Sequence, residues 1–266
     1  MKVSEVVRHA ALFPESDLPD PPEGHPYRQH RGEGYVVGCF PGGTFASVSV
    51  QAFPADQVEQ RVGAVRAVVI AEGFSKAAWV ISEAARPEGL ALLLQEFGMT
   101  LWDEPMMERR FSQMALVAAP QIAAGGVEAR RVETFAEFVS AQSVASDAFE
   151  STDQDRRAFE RQAEELWEWQ QRFPQFQTFV ALSAGEVIGS ASAIFGANAV
   201  YLIGGSVNEK ARGRGAYRSL VRARWDAAAK RGTPALTVSA GAMSRPILER
   251  LGFITVGTAD VLRDAL

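Results

Sequence analysis

The chain is short of sulfur and imidazole. Its 266 residues include a single cysteine, Cys39, which excludes an intrachain disulfide and leaves no cysteine cluster to hold zinc. The three histidines, His9, His25 and His30, all lie near the start, so the second half has no imidazole for acid–base chemistry. No run of 18 or more apolar residues occurs, which excludes a transmembrane helix. The opening residues 1–17 carry charges every few positions and contain no apolar segment. They do not read as a secretory signal, and a cytoplasmic location is expected. Positive charge is in deficit as well: 27 Lys and Arg stand against 32 Asp and Glu, giving a net charge of −5. General affinity for nucleic acid or for an anionic membrane is therefore not expected, and an anionic ligand must be recognised locally. What is present is ordinary for a soluble globular protein, with 47% hydrophobic and 22% charged residues. The length predicts one or two domains with a core that needs no covalent staples, and no metal site is expected.

A first helix is predicted over residues 4–12, followed by an irregular, proline-rich loop over 15–34 containing Pro19, Pro21, Pro22 and Pro26. Strands over 34–39 and 45–53 flank a turn at Pro41-Gly42-Gly43. Val58, Val62, Val65, Val69 and Ile70 recur at helical spacing and predict a helix over 55–71. A short buried strand over 77–81 comes next, then a helix over 87–97 opened by Pro87 and closed by Gly98, then one or two strands within 100–116. A second half begins near Gly125-Gly126 with a strand over 127–132 and helices over 134–149 and 156–173. Strands over 177–184 and 187–195 follow about a turn at Gly185-Glu186, then a strand over 199–207 and a helix over 215–231. A strand over 235–239, a helix over 246–251 and a final strand pair from Gly252 complete the chain. The two halves end alike, LLLQEFGMTLWDEPMM in the first and ILERLGFITVGTADVL in the second, each a short helix closed by glycine before a strand. This echo predicts two related α/β domains, 1–122 and 123–266.

The segment richest in chemistry runs from Ala199 to Gly232. A strand leads into the basic loop Ala211-Arg212-Gly213-Arg214-Gly215-Ala216, and an amphipathic helix follows at once with Tyr217, Leu220, Val221, Trp225 and Ala228 on one side. The first amides of a helix lack internal partners and, with the helix dipole, favour an anion. Glycines let the backbone approach a pyrophosphate, and arginines add charge-assisted hydrogen bonds. A Walker loop would need Gly-Lys-Ser/Thr, and a dinucleotide fingerprint a third glycine; both are missing, which disfavours ATP and NAD.

Residues Arg212, Gly213, Arg214, Gly215, Ala216 and Tyr217, together with Leu251-Gly252-Phe253 some forty residues later, resemble the GCN5-related N-acetyltransferase (GNAT) superfamily. The resemblance covers the whole second half. It implies a fold of α/β (α+β) type: two GNAT-like domains, each a mixed, mostly antiparallel sheet flanked by helices. It also implies acetyl-CoA as co-substrate, held by Gly205, Ser206, Val207 and residues Arg212 to Tyr217 in a gap beside the family's fourth strand. Gly204-Gly205 fits such a strand, or a bulge without a ligand. The first half has Phe53-Pro54-Ala55-Asp56-Gln57 in place of the loop, with no arginine or glycine, and resembles a degenerate repeat that does not bind CoA. One active site per chain follows.

The activity implied is acetyl transfer to a primary amine of a small molecule or peptide by direct attack, with the Val207 N–H stabilising the oxyanion. The resemblance also admits a homodimer. Three departures bear on catalysis: Tyr217 is bulky for its place, Leu248 stands where many members carry a tyrosine, and 239–244 contains no asparagine. Ser244 is then the substitute donor to the departing thiolate, or a plain helix cap. Glu150, Asp153 and Glu186 are candidate bases. Arg214, Arg218 and Arg222 form a helical stripe, read either as a 3′-phosphate contact or as a solvated face. Phe159, Leu166, Trp167, Trp169 and Phe173 form either core or an acceptor wall. A non-catalytic acyl-CoA-binding or sensing role is the alternative to the enzyme; nucleic-acid contact through Arg-Gly-Arg-Gly is the third reading.

Overall fold

The structure, a computed structural model, describes residues 2–40, 43–104, 107–122 and 127–266. The first half contains α1 (Glu5–Leu12), α2 (Pro14–Asp17), β1 (Arg28–Gly32), β2 (Tyr35–Cys39), β3 (Ala46–Ala52), α3 (Val58–Ala71), β4 (Lys76–Arg86), α4 (Leu90–Glu96), β5 (Thr100–Leu101) and β6 (Arg110–Leu116). The second contains β7 (Glu128–Arg131), α5 (Phe135–Ala148), α6 (Asp153–Arg172), β8 (Phe176–Ser183), β9 (Glu186–Phe195), β10 (Val200–Val207), α7 (Ala216–Lys230), β11 (Leu236–Ala240), α8 (Arg245–Arg250) and β12 (Ile254–Ala265).

Local chemistry accounts for most boundaries. Ser4 caps α1 by accepting the Val7 amide, and Thr152 with Asp155 forms a reciprocal capping box that starts α6 three residues earlier than its apolar pattern predicts. On α3, Val58, Val62, Val65 and Val69 are buried while Ile70 faces solvent, so each core valine contributes roughly 1.5–3 kcal/mol of burial. The helix expected from Pro87 starts at Leu90, because Gly89 adopts a left-handed conformation that cannot continue the helix backward. The proline-rich stretch expected to be irregular holds α2 and β1; Arg28–Gly32 pairs with Tyr35–Cys39 once the neighbouring strand is in place. The second hairpin turns on Ala184-Gly185 rather than Gly185-Glu186, both residues having positive φ as a two-residue turn demands. Pro41, Gly42, Gly125 and Gly126 lie outside the described residues.

The strands form one sheet in the order β1-β2-β3-β4-β12-β6-β11-β10-β9-β8-β7, with β5 beside β12. Among the described residues only β3–β4 and β10–β11 run parallel, so the protein is a mixed α/β fold with a mostly antiparallel sheet flanked by helices. The centre of the sheet departs from expectation. Instead of a final strand pair there is one twelve-residue strand, β12, whose first part pairs with β6 and whose last part, from Ala259, pairs with β4. In turn β6, from the first half, pairs with β11 of the second. Each half thus supplies the strand that borders the other half's parallel pair. One apolar core lies under α3 and α4, another under α7 and α8. Polar ties reinforce the junction: Arg66 on α3 forms a two-pronged pair with the buried Asp264 on β12 (2.9 and 2.8 Å), and Gln113 Nε2 donates to the Leu12 carbonyl at 2.8 Å.

Candidate active site

Strands β10 and β11 run together only where Val200–Leu202 faces Leu236–Val238. Beyond Ile203 the register of β10 on β9 shifts, so that Gly204 and Gly205 together stand opposite Ala191, and the bulge bends β10 away from its parallel neighbour. Gly204 takes φ +61°, and a Cβ at Gly205 would lie 2.8 Å from the Tyr217 ring. After the bulge the Asn208 amide donates to the Ile188 carbonyl at 2.9 Å. That bond leaves Val207 opposite Gly189 at a non-hydrogen-bonded position, so its own N–H and C=O point away from β9, into the gap.

The loop after β10 is tightly wound. Asn208 accepts the Lys210 amide (3.1 Å), a single 3-10 turn covers Glu209–Ala211, and the Arg214 amide reaches back to the Ala211 carbonyl (3.4 Å). Gly213 and Gly215 then adopt φ +81° and +92°, left-handed values that favour glycine. Helix α7 begins without a side-chain cap, and its first backbone bond runs from the Ser219 amide to the Gly215 carbonyl. Among the described residues no backbone carbonyl accepts from the amides of Gly213, Gly215, Ala216, Tyr217 or Arg218. Free amides at the positive end of a fifteen-residue helix form an anion cradle.

A cavity of about 590 Å³ lies over this cradle, bounded by β10 from Gly205 to Val207 and by Ile247, Arg250 and Leu251 on and after α8. Its charged lining residues are Arg212, Arg218 and Arg250; no carboxylate is among the described residues that line it. A second cavity of about 720 Å³ opens between the two halves of the molecule. The two share Ala148, Phe149, Gly205, Tyr217, Met243 and Ser244. The second has the opposite character, with Glu15, Glu108 and Glu150 on its wall against Arg224. Glu108 is engaged, accepting the Ala242 amide through both oxygens (2.8 and 2.9 Å). Arg224 is fully buried and turned onto the Leu220 and Ser192 carbonyls (3.1 Å each); burial pulls its pKa down to about 10.

Two hydroxyls meet at the junction. Burial pushes the Tyr217 phenol above its ordinary range, opposed by the Arg224 charge, so it is protonated at neutral pH. The Ser244 hydroxyl donates to the Gly241 carbonyl (3.3 Å) and does not cap α8. A strand thus splays from its parallel neighbour above a basic, amide-lined helix start, and Leu251-Gly252-Phe253 follows the next helix. The model for the Acetyltransferase (GNAT) domain matches residues 123–264. The chain belongs to the GNAT acetyltransferase family. No curated protein sequence matches it. Its fold is shared with a GCN5-related N-acetyltransferase from Kribbella flavida at 19% identity, with 98% of this chain and 96% of that one covered and a TM-score of 0.68. A GCN5-related N-acetyltransferase from Sphaerobacter thermophilus aligns at 16% identity over 98% and 91%, with a TM-score of 0.56. A tandem GNAT protein from the clavulanic acid biosynthesis pathway aligns at 13% over 97% and 87%, with a TM-score of 0.57.

In this GNAT protein the basic cavity brings together Gly205, Ser206, Val207, Arg212, Gly213, Gly215, Ala216, Tyr217 and Ser244. Arg214 lies outside the lining, and Arg222 turns to Asp226 at 2.8 Å, so the stripe contributes only Arg218. Arg250 joins the cavity although the sequence reading passed over it; its place beside Leu251-Gly252-Phe253 was the available signal. Of the three candidate bases only Glu150 reaches a cavity, since Asp153 opens α6 and Glu186 opens β9. The aromatic residues of α6 are core: Phe159, Leu166 and Trp167 pack on Val132, Phe138 and Val180, and Trp169 stacks on His25 and Phe173. Glu15, Glu108, Tyr201 and Gln113 carried no local signal in the sequence. Among the described residues no group of three or more His, Cys, Asp or Glu could hold a metal, and no helix is long and apolar enough to cross a membrane.

Proposed function

We propose that the protein is an N-acetyltransferase that moves the acetyl group of acetyl-CoA to a primary amine of a small molecule or peptide by direct attack. The observation that carries this reading is the meeting of the two cavities at Gly205, Tyr217 and Ser244, one basic and lined by free amides, the other acidic. The residues suit acetyl-CoA: the amides of Gly213, Gly215, Ala216, Tyr217 and Arg218 would take the pyrophosphate, with Arg212, Arg218 and Arg250 adding charge. The unpaired edge of β10 after the bulge would hydrogen-bond the pantetheine as an added strand. When bound, acetyl-CoA supplies the thioester: the amine nitrogen bonds to the acetyl carbon, the C–S bond breaks, and a proton passes from nitrogen to the departing sulfur. The Val207 N–H would hold the developing oxyanion. Tyr217 and Ser244, at the junction, are the hydroxyls placed to protonate the sulfur.

We further divide the chain at 1–122 and 123–266, with the cofactor side built by the second part except for Gln121 at the end of the first. Calorimetric titration with acetyl-CoA tests the reading; micromolar binding, about −8 kcal/mol, is expected, and no heat at millimolar concentration would overturn it. A second reading, a non-catalytic acyl-CoA-binding or sensing protein, is favoured by Leu248, which is fully buried in the tyrosine's place. Release of free thiol in the presence of amines separates the two.

A further inference from the structure

The cavity between the halves has a wall that the second half does not make. Glu15 sits there on α2, and α2 is fastened to both halves. Asp17 accepts the amides of Asn198 (3.0 Å) and Ala199 (3.1 Å) through its carboxylate and that of Ala197 (3.0 Å) through its carbonyl, locking α2 to the turn before β10. Arg31 on β1 donates to the carbonyls of Glu15 (3.0 Å) and Leu18 (2.8 Å) while its Nε pairs with Asp20. The backbone of Glu15 is therefore fixed against the cavity.

One oxygen of its carboxylate lacks a donor. Oε2 is buried and has no hydrogen-bond partner. The groups that face it are Ser49 from β3, Arg31 from β1, Tyr201 from β10 and Tyr27, which precedes β1. Tyr201 spends its hydroxyl on Ser239 at 3.2 Å, and Arg31 is engaged as described. A buried carboxylate with an unpaired oxygen costs free energy that a cationic partner removes. The rest of the wall mixes apolar residues, including Leu12, Val80, Phe111, Phe149, Leu202 and Val238, with polar ones, among them the carboxylates of Glu150 and of Glu108, the latter held by the Ala242 amide.

We propose that the cavity between the two halves takes an acceptor with an ammonium group and an apolar body, and that Glu15 is the carboxylate that pairs with the ammonium on binding; the nitrogen gives up one proton to solvent before it attacks as the neutral amine. This rests on the transferase reading and deepens it: the degenerate half supplies the specificity of a reaction whose cofactor it does not bind. Burial holds the Glu15 carboxyl above the usual carboxylate range, against the lowering influence of its own backbone amide, Ser49 and Arg31. Ammonium binding, which needs the ionised carboxylate, therefore weakens as pH falls through that raised value.

The test is calorimetric binding of primary amines, from 2-phenylethylamine to a short peptide with a free N-terminus, each beside its neutral alcohol or N-acetylated counterpart. At least one amine is expected to bind the native protein ten-fold or more tighter than its neutral counterpart. Glu15→Gln should abolish that preference while acetyl-CoA binding stays unchanged and thermal stability does not fall. Ser49→Ala, which keeps the carboxylate, should retain the preference and move its loss to higher pH. The proposal is overturned if no amine is preferred over its neutral counterpart, or if Glu15→Gln keeps the preference. Loss of acetyl-CoA binding in the native protein, with amine preference intact, would instead strike the transferase reading.

Discussion

The molecule contains the same strand–loop–helix corner twice, once at β3–α3 beside β4 and once at β10–α7 beside β11. In the first, the parallel pairing runs from Ala46–Ala77 to Val50–Ile81, is taken up again at Ala52–Arg86, and is sealed by the Phe53 amide on the Arg86 carbonyl at 2.8 Å. In the second, pairing stops at Leu202 and the strand bends away through Gly204 and Gly205. Both helices offer free amides at their starts, as every helix does. Only the second has a gap beneath them, two left-handed glycines that bring the backbone close, and arginines where the first has Pro54 and Asp56. An anion site needs room as well as donors, and strand pairing decides the room.

The largest effect should come from closing that room. Gly215→Trp places a large residue at φ +92°, and acetyl-CoA binding should weaken at least about 100-fold, roughly 2.7 kcal/mol, by titration calorimetry. Next, if the Tyr217 phenol protonates the leaving sulfur, Tyr217→Phe should lower kcat by about 100-fold with acetyl-CoA affinity preserved. Ser244→Ala is the paired control: a loss confined to Ser244→Ala would transfer the role to that hydroxyl. A third prediction concerns the seam. Arg66→Ala strands the buried Asp264 and should cost about 2–3 kcal/mol in denaturant unfolding. Because β6 and β12 are exchanged between the halves, that loss should appear in one cooperative transition rather than in a first-half transition alone. Least of all, Asp56→Arg gives the first corner a basic residue without opening its strands, and acetyl-CoA stoichiometry should stay at one per chain.

Much of the fold was legible because its signals are local. The valine spacing of α3, the strand-forming runs of the second half and the glycines Gly98 and Gly252, both at positive φ, mark their elements without reference to anything distant. The loop from Arg212 to Tyr217 was legible for the same reason: donors, charge and conformational freedom all reside within six consecutive residues. Strand β1 was hidden, since RQHRG has no apolar alternation and pairs only because β2 is beside it. The exchange of β6 and β12 was hidden too, because both strands have the same burial pattern whichever half they border.

The sequence by itself determined the family and the local conformation of the glycine-rich loop that opens α7. Each depends on chain neighbours, whose φ angles and amides are set within a few bonds. Tertiary structure alone decided the cavity between the halves, where Glu15, Ser49, Glu108 and Gln113 of one half meet Tyr201, Tyr217 and Ser239 of the other. No spacing rule links residue 15 to residue 201. Their proximity is a product of strand order, and strand order is set by which buried faces the whole chain can bring together at once.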